Sequence, residues 1–575
     1  MYNRSTMARV AEIQREISFK VAKTQDVPEE LRTFDFITAQ LLLQRGIATR
    51  QDAEKFLRPQ LSDLSDPYLL EDLDKAVERI KQAAKQREKV VVYGDYDVDG
   101  VTSATVLISV LERMGIDVSI YLPERMKEGY GMNEAAIKKI HKQKASLIIT
   151  VDNGTTNVVE VDLAKSLGID VIIVDHHHVP EVLPKACALI NPKRPDSKYP
   201  FRELAAVGVT YQLARALVGD KHAQRYLDLV VLGTVADVVP LLGENRTLTI
   251  FGLKALNETK RIGIKALVDV AGLKGKPLET YHIGFQLGPR LNAASRMEHA
   301  LTSFKLLRSK DSKEAYKLAE QLDALNTRRQ ELTDQILESA HARADSWRGE
   351  KIIVAGEEGW SIGVVGIVAS RLAEKYSKPA IVFEYQKEVC KGSARSIDGV
   401  HILELLESVR DTIHHFGGHA KAAGLTVERE KFEKFKEKLL EAAKSQIHSS
   451  LLKPSLGISV VLEPKVVAPK LLNTVVQFIP FGFGNPTPVF GVRGVKLFGY
   501  EMIGSGGSHL RLTFTDGDDN RLQVMAFDGW GMMFDLKMNQ KYDAAFTISE
   551  REWQGKKFMQ QKLVAMRPAT PGGAA

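Results

Sequence analysis

Short runs of β-branched residues alternate with helix-like segments through the first half of the chain. From Lys89 the runs KVVVYGD, DVSIYLP, SLIITVD and DVIIVDHH are separated by segments such as VTSATVLISVLERMG and TNVVEVDLAKSLG. Near-continuous apolar strands that alternate with helices are typical of a parallel sheet whose strands are buried. The pattern therefore predicts an α/β domain with a parallel sheet over residues 76–310.

The remaining regions have other patterns. Residues 1–75 predict an N-terminal helical segment that packs on the body. Residues 311–348 predict a rigid connecting helix with an apolar stripe formed by Leu318, Leu322, Leu325, Leu332 and Ile336. A second α/β pattern predicts a smaller domain over 349–450. After Leu451 the helical pattern disappears, and alternating runs between turn-rich stretches predict a closed or nearly closed β-barrel over 451–575.

Composition narrows the class of protein. The 575 residues suit roughly three or four domains, and 79 Lys and Arg against 72 Asp and Glu give a net charge of +7, which weakly favours a polyanionic partner. Cys187 and Cys390 lie far apart, which argues against a disulfide framework and a structural zinc site. We find neither a signal-peptide pattern nor a comfortable membrane span, so a cytoplasmic protein without membrane attachment is expected.

Three aspartates follow the first buried strand at alternate positions. The segment VVVYGDYDVDG contains Asp95, Asp97 and Asp99. A calcium loop is one alternative, but its twelfth position is Val106, where a bidentate glutamate is needed, and a strand precedes it instead of a helix. A solvated turn is the other alternative, and it leaves three carboxylates that repel one another unless a cation offsets them.

Similar groups follow two more strands and one helix. They are Asp152 after SLIITV, Asp175, His176, His177 and His178 after DVIIV, and Asp237 in VVLGTVADVVPL. Because ligands of open α/β sheets bind at the carboxyl ends of the strands, we expect these groups to converge. Carboxylate and imidazole without thiolate favour Mn²⁺ or Mg²⁺. The number of acids predicts two ions that activate water and stabilise an in-line attack on phosphorus.

Candidate phosphate-binding groups lie elsewhere. Gly417, Gly418 and His419 belong to a glycine-rich turn in FGGHAKAAG, although a structural turn explains this pattern equally well. Ser393 and Arg395 in KGSARSIDG lie on one side of a predicted strand, where they could hold a terminal phosphate. Further candidates, each better explained alone by a structural or surface role, are Arg125, Arg290 and Arg296. No GxxxxGK[ST] motif occurs, so ATP-driven translocation is not supported.

The predicted barrel contains aromatic residues that could stack unpaired bases, although most are expected in its core. They include Phe481, Phe483, Phe514, Trp530 and Trp553.

The order and spacing of the motifs resemble the DHH/DHHA1 phosphoesterase superfamily over nearly the whole chain. The motifs are DYDVDG, VDNG, DHH, GTVADVVP, GSARS and GGHAKAAG. A second set resembles the branch of this superfamily that degrades single-stranded DNA from the 5′ end: PERMKEGYGMN, GPRLNAASR, QLDALNTRRQ, GVVGIVASR and PFGFGNPTPVF. The resemblance implies a DHH domain, a DHHA1 domain and an oligonucleotide-binding (OB-type) barrel.

The resemblance also implies roles for individual residues. Two Mn²⁺ or Mg²⁺ ions would be held by Asp95, Asp97, Asp99, Asp152, His176 and Asp237. Asp152 would also be catalytic, and His177 would contact the scissile phosphate. Arg125, Ser393 and Arg395 would hold the 5′ phosphate, with Arg290 and Arg296 as further contacts, and Gly417, Gly418 and His419 would line the DNA path. Two positions depart from the family pattern: Ser361 replaces a histidine, and Ser295 replaces a glycine.

The combined prediction is hydrolysis of single-stranded DNA from the 5′ end to mononucleotides, in repair and recombination. A monomer is expected, with a single-strand-binding protein and a helicase as partners. Two alternatives stay open. A DHH phosphodiesterase acting on short RNA or cyclic dinucleotides is disfavoured by the third domain, and a non-catalytic scaffold is disfavoured by the intact ligand set.

Overall fold

The structure is a computed structural model that describes residues 17–125, 127–518, 520–553 and 556–569. The chain forms two compact units. The parallel-sheet unit comprises Arg58–Glu338 and Pro480–Asn485, and the barrel-containing unit comprises Met1–Leu57, Ser339–Ile479 and Pro486–Ala575. Among the described residues, no helix combines the length and the apolar character needed to cross a bilayer.

The strands, in chain order, are β1 (Ser18–Val21), β2 (Lys89–Gly94), β3 (Asp117–Tyr121), β4 (Leu147–Val151), β5 (Asp170–Val174), β6 (Ala188–Ile190), β7 (Ile353–Glu358), β8 (Ala380–Tyr385), β9 (Val389–Arg395), β10 (His415–His419), β11 (Ala422–Glu428), β12 (Ser455–Ile458), β13 (Val460–Val461), β14 (Phe490–Ile503), β15 (His509–Thr515), β16 (Arg521–Ala526), β17 (Lys541–Trp553) and β18 (Lys556–Pro568).

The α-helices, in chain order, are α1 (Phe36–Leu43), α2 (Arg50–Leu57), α3 (Leu73–Gln86), α4 (Val98–Arg113), α5 (Glu134–Lys142), α6 (Val158–Ser166), α7 (Ala206–Val218), α8 (Asp220–Ala223), α9 (Leu227–Ala236), α10 (Gly243–Asn257), α11 (Ile262–Val270), α12 (Thr280–His282), α13 (Gly288–Met297), α14 (Leu301–Arg308), α15 (Ser312–His341), α16 (Ile362–Tyr376), α17 (Ile402–Glu407), α18 (Phe432–Gln446) and α19 (Pro469–Val476). A π-helical segment, Ile283–Leu287, joins α12 to α13.

The parallel-sheet unit is built on a five-stranded sheet in the order β3-β2-β4-β5-β6, and all its strand pairs are parallel. Successive residues of each strand face opposite sides. Val90 and Val92 belong to the core with α3 and α4, whereas Val91 and Tyr93 belong to the core with α5 and α6. Both faces are therefore buried, which confirms the predicted parallel α/β fold.

The strand order contains a switch point between β2 and β4. The chain leaves β2 for β3 on one side of the sheet, and it leaves β4 for β5 on the other. In sheets of this kind a crevice opens at the carboxyl ends of the two strands, where the connections diverge. Asp95 follows β2 directly and Asp152 follows β4 directly, so both lie at this crevice.

The barrel-containing unit has two larger sheets. One is mixed, in the order β10-β11-β9-β8-β7, and only the pair β7–β8 is parallel. The other closes through β14-β15-β16-β18-β17 and back to β14, with β13 added at its edge. The closed five-stranded barrel confirms the predicted C-terminal architecture.

Three features of the chain differ from the sequence prediction. The N-terminal segment is not only helical, because β1 pairs in parallel with β12. The region after Leu451 contains a helix, α19, whose short apolar stripe is broken by polar residues. Pro480–Asn485, which contains Phe481 and Phe483, belongs to the parallel-sheet unit and not to the barrel. The first and third of these depend on contacts with distant residues, which local patterns do not encode.

Candidate metal centre and phosphate-binding groups

The turn after β2 brings Asp95 and Asp97 close to the start of α4. Asp97 is the N-cap of this helix, and its Oδ1 accepts a hydrogen bond from the amide of Gly100 at 3.1 Å. A Cβ atom at Gly100 would lie 2.6 Å from the carbonyl oxygen of Asp95, so this position requires glycine. The DYDVDG motif thus forms one tight turn that holds its carboxylates together.

Asp99, in the first turn of α4, joins this turn to α7. Its Oδ2 accepts from the amide of Ala206 at 2.7 Å and its Oδ1 from that of Val207 at 2.8 Å. These amides belong to the N-terminus of α7, where a carboxylate is favoured. A Cβ atom at Gly233 of α9 would lie 2.9 Å from Asp99 Oδ1, so glycine is also needed there.

Asp152 has a backbone φ of 64°, in the left-handed region. Its amide donates to the carbonyl of Val174 at 3.0 Å, which continues the β4–β5 pairing through this residue. Non-glycine residues held in this conformation are concentrated at functional sites, where the surrounding structure enforces them.

Asp175 orients the two histidines that follow it. Its Oδ1 accepts from the amides of His176 at 2.8 Å and His177 at 3.2 Å, and it lies 2.8 Å from Nδ1 of His177. Although burial opposes this effect, the contacts with His177 lower the pKa of Asp175, and they raise the pKa of His177. Asp175 therefore acts on its neighbouring histidines and is ionised.

His176 presents its other ring nitrogen to the cluster. Its Nδ1 lies 3.1 Å from the carbonyl oxygen of Leu204, which assigns the N–H to Nδ1. Its Nε2 lies 3.3 Å from Asp152 Oδ1 and 3.7 Å from Asp237 Oδ2. Burial lowers the pKa of His176 to about 3, so the ring is neutral and Nε2 has a free lone pair.

The predicted ligands come together in three overlapping groups. Within each, one donor atom per residue lies within 4.8 Å of the others: Asp95, Asp97 and Asp152; Asp99, His176 and Asp237; and Asp152, His176 and His177. Asp152 and His176 are each shared between two groups. The arrangement therefore offers adjacent sites for cations at the switch point of the sheet.

The chemistry of these groups fits divalent cations. Asp95 Oδ1, Asp152 Oδ1 and His176 Nε2 are buried without a hydrogen-bond partner. Burial, followed by the charges of neighbouring carboxylates, raises the pKa values of Asp95, Asp152 and Asp237 well above the ordinary range. Buried carboxylates with unpaired oxygens are costly unless a cation compensates them. Oxygen-rich ligands with imidazole suit Mn²⁺ or Mg²⁺.

Sequence reasoning missed Tyr130. Its hydroxyl donates to the backbone carbonyl of Asp152 at 3.1 Å and lies 3.0 Å from Nδ1 of His177. The only signal in the sequence was its place in PERMKEGYGMN, which also contains Arg125. Tyr130 links that loop to two residues of the cluster.

Three candidate arginines also belong to the parallel-sheet unit. The guanidinium of Arg125 lies 4.9 Å from the ring centroid of Tyr96, next to Asp95. Arg290 is already paired, with Nε 2.8 Å from Asp323 Oδ1. Arg296 and Ser295 lie on α13; Ser295 is buried and donates to the carbonyl of Asn292.

The other candidates belong to the barrel-containing unit. Ser393 and Arg395 lie on one side of β9, as predicted, with Arg395 Nη1 2.9 Å from Ser393 Oγ. The segment predicted as a glycine-rich turn is instead a hairpin strand, in which Gly417 pairs with Gly424 and Gly418 with Ala423. His419 ends this strand. A Cβ atom at Gly418, whose φ is 149°, would lie 2.3 Å from the carbonyl oxygen of Ala422, so the pairing needs glycine there, which turn composition alone did not reveal. Ser361 precedes α16 as its N-cap.

Comparison with known proteins identifies the class. Models of three domain families match the chain: the DHH family, N-terminal domain, over 89–234; the DHHA1 domain over 349–445; and the RecJ OB domain over 458–565. These matches, with the parallel sheet and the barrel, define a DHH-type protein with a DHHA1 domain and an OB domain.

The similarity extends over nearly the whole chain. It is 38% identical over 549 residues to the single-stranded-DNA-specific exonuclease RecJ of Bacillus subtilis strain 168, covering 95% of this chain and 69% of that protein. The chain belongs to the RecJ family. The crystal structure of RecJ from Thermus thermophilus in complex with Mn²⁺ has a TM-score of 0.82 at 28% identity, and covers 97% of this chain and 81% of that one. The Mg²⁺ complex of that protein has a TM-score of 0.76 at 27% identity, with 97% and 80% covered.

Proposed function

We propose that the protein hydrolyses single-stranded DNA from the 5′ end and releases mononucleotides, in DNA repair and recombination. The observation that carries this proposal is the buried carboxylate–histidine cluster in a chain of the RecJ family. The RecJ relatives are named single-stranded-DNA-specific exonucleases, and the 5′ polarity is our own proposal from the motifs described above.

Two Mn²⁺ or Mg²⁺ ions would be held by Asp95, Asp97, Asp99, Asp152, His176 and Asp237. When bound, such ions acidify water and stabilise the charge that develops on phosphate oxygens. Asp99 is held from behind by the two amides of α7, so it supplies ligand charge without moving. Its fixed position preorganises the cluster and reduces reorganisation during reaction.

His177 would contact the scissile phosphate. Asp175 holds Nδ1 of His177 and favours the protonated ring, so Nε2–H is available to donate to a phosphate oxygen. The Tyr130 hydroxyl fixes the backbone of Asp152 and lies against the same imidazole. Asp152 would serve both the cations and the reacting water.

The 5′ phosphate would be bound by Arg125, Ser393 and Arg395. A hydroxyl and a guanidinium on one side of β9 match the acceptors of a terminal phosphate. Arg290 and Arg296 would contact the strand, and Gly417, Gly418 and His419 would line its path. The barrel would guide the strand. We place the DHH domain over 76–310, the DHHA1 domain over 349–450 and the barrel over 451–575 apart from Pro480–Asn485.

We further propose that the protein is a cytoplasmic monomer that acts with a single-strand-binding protein and a helicase. Its net charge of +7 is compatible with a polyanionic substrate.

The test uses purified protein with Mn²⁺ and oligonucleotides labelled at either end. We expect single strands with a free 5′ end to be shortened to mononucleotides while blunt duplexes persist. Equal degradation of duplex and single strands, or digestion from the 3′ end, would contradict the proposal. Preferential cleavage of short RNA or cyclic dinucleotides would point to another DHH phosphodiesterase, and no cleavage at all to a scaffold.

A further inference from the structure

Three large aromatic rings are exposed on the parallel-sheet unit. Tyr281 is 56% exposed, Phe285 is 70% exposed and Phe483 is 60% exposed. The rings of Tyr281 and Phe285, one helical turn apart, are stacked with centroids 4.9 Å apart and planes at 28°. Contiguous exposed apolar patches mark binding surfaces, whereas single exposed apolar residues are normal, so the placement of these rings relative to one another matters.

The backbone next to Phe483 is fixed to two other segments of the same unit. Its carbonyl accepts from the amide of Leu241 at 2.7 Å, and the carbonyl of Phe481 accepts from Thr280 Oγ1 at 2.7 Å. Gly482 and Gly484 pack against Leu241 and Pro240 with no room for a Cβ atom. The three exposed rings therefore lie on neighbouring, hydrogen-bonded segments.

These segments adjoin the candidate metal centre. The segment that contains Pro240 and Leu241, against which the Phe483 backbone packs, begins directly after Asp237. Its first residue, Val238, is 60% exposed and has a φ of 61°. A Cβ atom at Gly288 would lie 3.6 Å from Cβ of Ala236, so the end of the π-helical segment packs beside the end of α9. The aromatic surface, defined as Tyr281, Phe285 and Phe483, is thus adjacent in structure to a predicted metal ligand.

We propose that the aromatic surface stacks the unpaired bases of the DNA strand next to the metal centre. The inference rests on the proposed function and adds a specificity device to it. Every base has a π-face, so stacking on rings tolerates any sequence, and each stacked base contributes roughly 5- to 150-fold in affinity. Bases in a duplex are already stacked on their neighbours and cannot use the surface, which favours single strands.

The experiment measures binding of two single-stranded oligonucleotides of equal length, one with bases and one with abasic tetrahydrofuran units throughout. All proteins carry Asp152→Asn so that the strand is not cut. In this background we expect Tyr281→Ala/Phe285→Ala and Phe483→Ala each to weaken binding of the base-containing strand at least about fivefold, and to leave binding of the abasic strand unchanged. Phe285→Tyr, which keeps a ring, should bind like the parent.

Tyr68→Ala is the matched control, because Tyr68 is an aromatic residue of the same unit that is also exposed. The slope of log Kd against log salt should be the same in all variants, since stacking neutralises no phosphate. Equal losses on base-containing and abasic strands, or parent-like binding by all alanine variants, would overturn the proposal; the second result would fit a surface that contacts another protein. Hydrolysis by the unmodified protein is scored separately, so failure of the nuclease assignment is distinguished from failure of the stacking surface.

Discussion

The carboxylate–histidine cluster and the Ser393–Arg395 pair differ in how far the chain satisfies its own polar groups. The cluster leaves oxygens of Asp95 and Asp152 and one nitrogen of His176 buried and unpaired. In contrast, Arg395 donates to Ser393 and to the carbonyl of Ala394, and it is only partly buried. The first region therefore has unpaired groups that suit a divalent cation, whereas in the second region the arginine is already hydrogen-bonded within its own strand.

The two regions therefore constrain the possible functions to different degrees. Buried groups that cannot satisfy one another indicate the chemistry of the ligand that they suit, which here is a divalent cation. An arginine that is hydrogen-bonded within its own strand is compatible with many roles, so the assignment of Arg395 to the 5′ phosphate depends on the family resemblance. Substitutions in the two regions should therefore differ in kind as well as in size.

The largest effect is expected for Asp152→Asn. We expect hydrolysis of single-stranded DNA to fall by at least about 1,000-fold, because a ligand charge is lost from the metal centre. The Tm of the metal-free protein should stay the same or rise, because a buried unpaired carboxylate is removed and asparagine tolerates the left-handed φ of this position.

The control for this variant is Asp269→Asn, at a surface position of the same unit. Activity of Asp152→Asn within tenfold of the unmodified protein would contradict a role of Asp152 in catalysis. A large loss of its metal-free Tm would mean that Asp152 stabilises the fold.

Gly100→Ala and Gly366→Ala make the same change in the two regions. At Gly100 the new Cβ atom meets the backbone of Asp95, which cannot move away. We expect the free energy of unfolding to fall by roughly 1–3 kcal/mol and activity by about 100-fold, since the carboxylates are displaced. Thermal unfolding and initial rates measure both, and unchanged values would show that the turn is more adaptable than the structure indicates.

Much of the candidate metal centre could be predicted from the sequence. Alternating apolar strands and helices predicted the parallel sheet, and three strand-end motifs predicted that Asp95, Asp152 and His176 converge. The hydrogen bonds of Asp99 to the amides of Ala206 and Val207 could not be predicted, because they depend on the packing of α7, which begins more than 100 residues later in the sequence.

Other features could not be predicted because they also depend on contacts between residues that are distant in the sequence. Strand β1 is defined by its pairing with β12, over 400 residues later, and four residues have too little pattern of their own to signal it. Pro480–Asn485 leaves the barrel because Gly482 and Gly484 fit closely against Leu241 and Pro240. Close packing of glycines against distant residues leaves no periodic signal.

Arg395→Met should have a smaller effect that depends on the substrate end. We expect kcat/KM on 5′-phosphorylated single strands to fall about 30-fold, which corresponds to one lost charge-assisted hydrogen bond of ~2 kcal/mol, while 5′-hydroxyl strands are degraded as before. Lys391→Met, on the same strand of the sheet, controls for the loss of positive charge. Equal losses on both kinds of end would remove Arg395 from 5′-phosphate binding.

Gly366→Ala should have the smallest effect. The new Cβ atom would lie 3.0 Å from Arg395 Nη2 and from Ser393 Oγ, both of which can shift slightly. The free energy of unfolding should be unchanged or higher, since alanine is more favourable than glycine in a helix interior by about 1 kcal/mol. Discrimination between 5′-phosphate and 5′-hydroxyl ends should fall roughly threefold to tenfold, because a displaced hydrogen bond loses about 1 kcal/mol. Lower stability with intact discrimination would mean that Gly366 is needed for the fold and that its contacts with Ser393 and Arg395 do not affect 5′-phosphate binding.

We expect the buried cluster to bind two divalent cations. Equilibrium dialysis of the metal-free protein against Mn²⁺, followed by metal analysis, measures this directly. We expect two Mn²⁺ per chain in the unmodified protein and fewer in Asp152→Asn, whose position is shared between two of the ligand groups. Absence of tightly bound Mn²⁺, or the same number in both proteins, would contradict the assignment of this cluster as the metal centre.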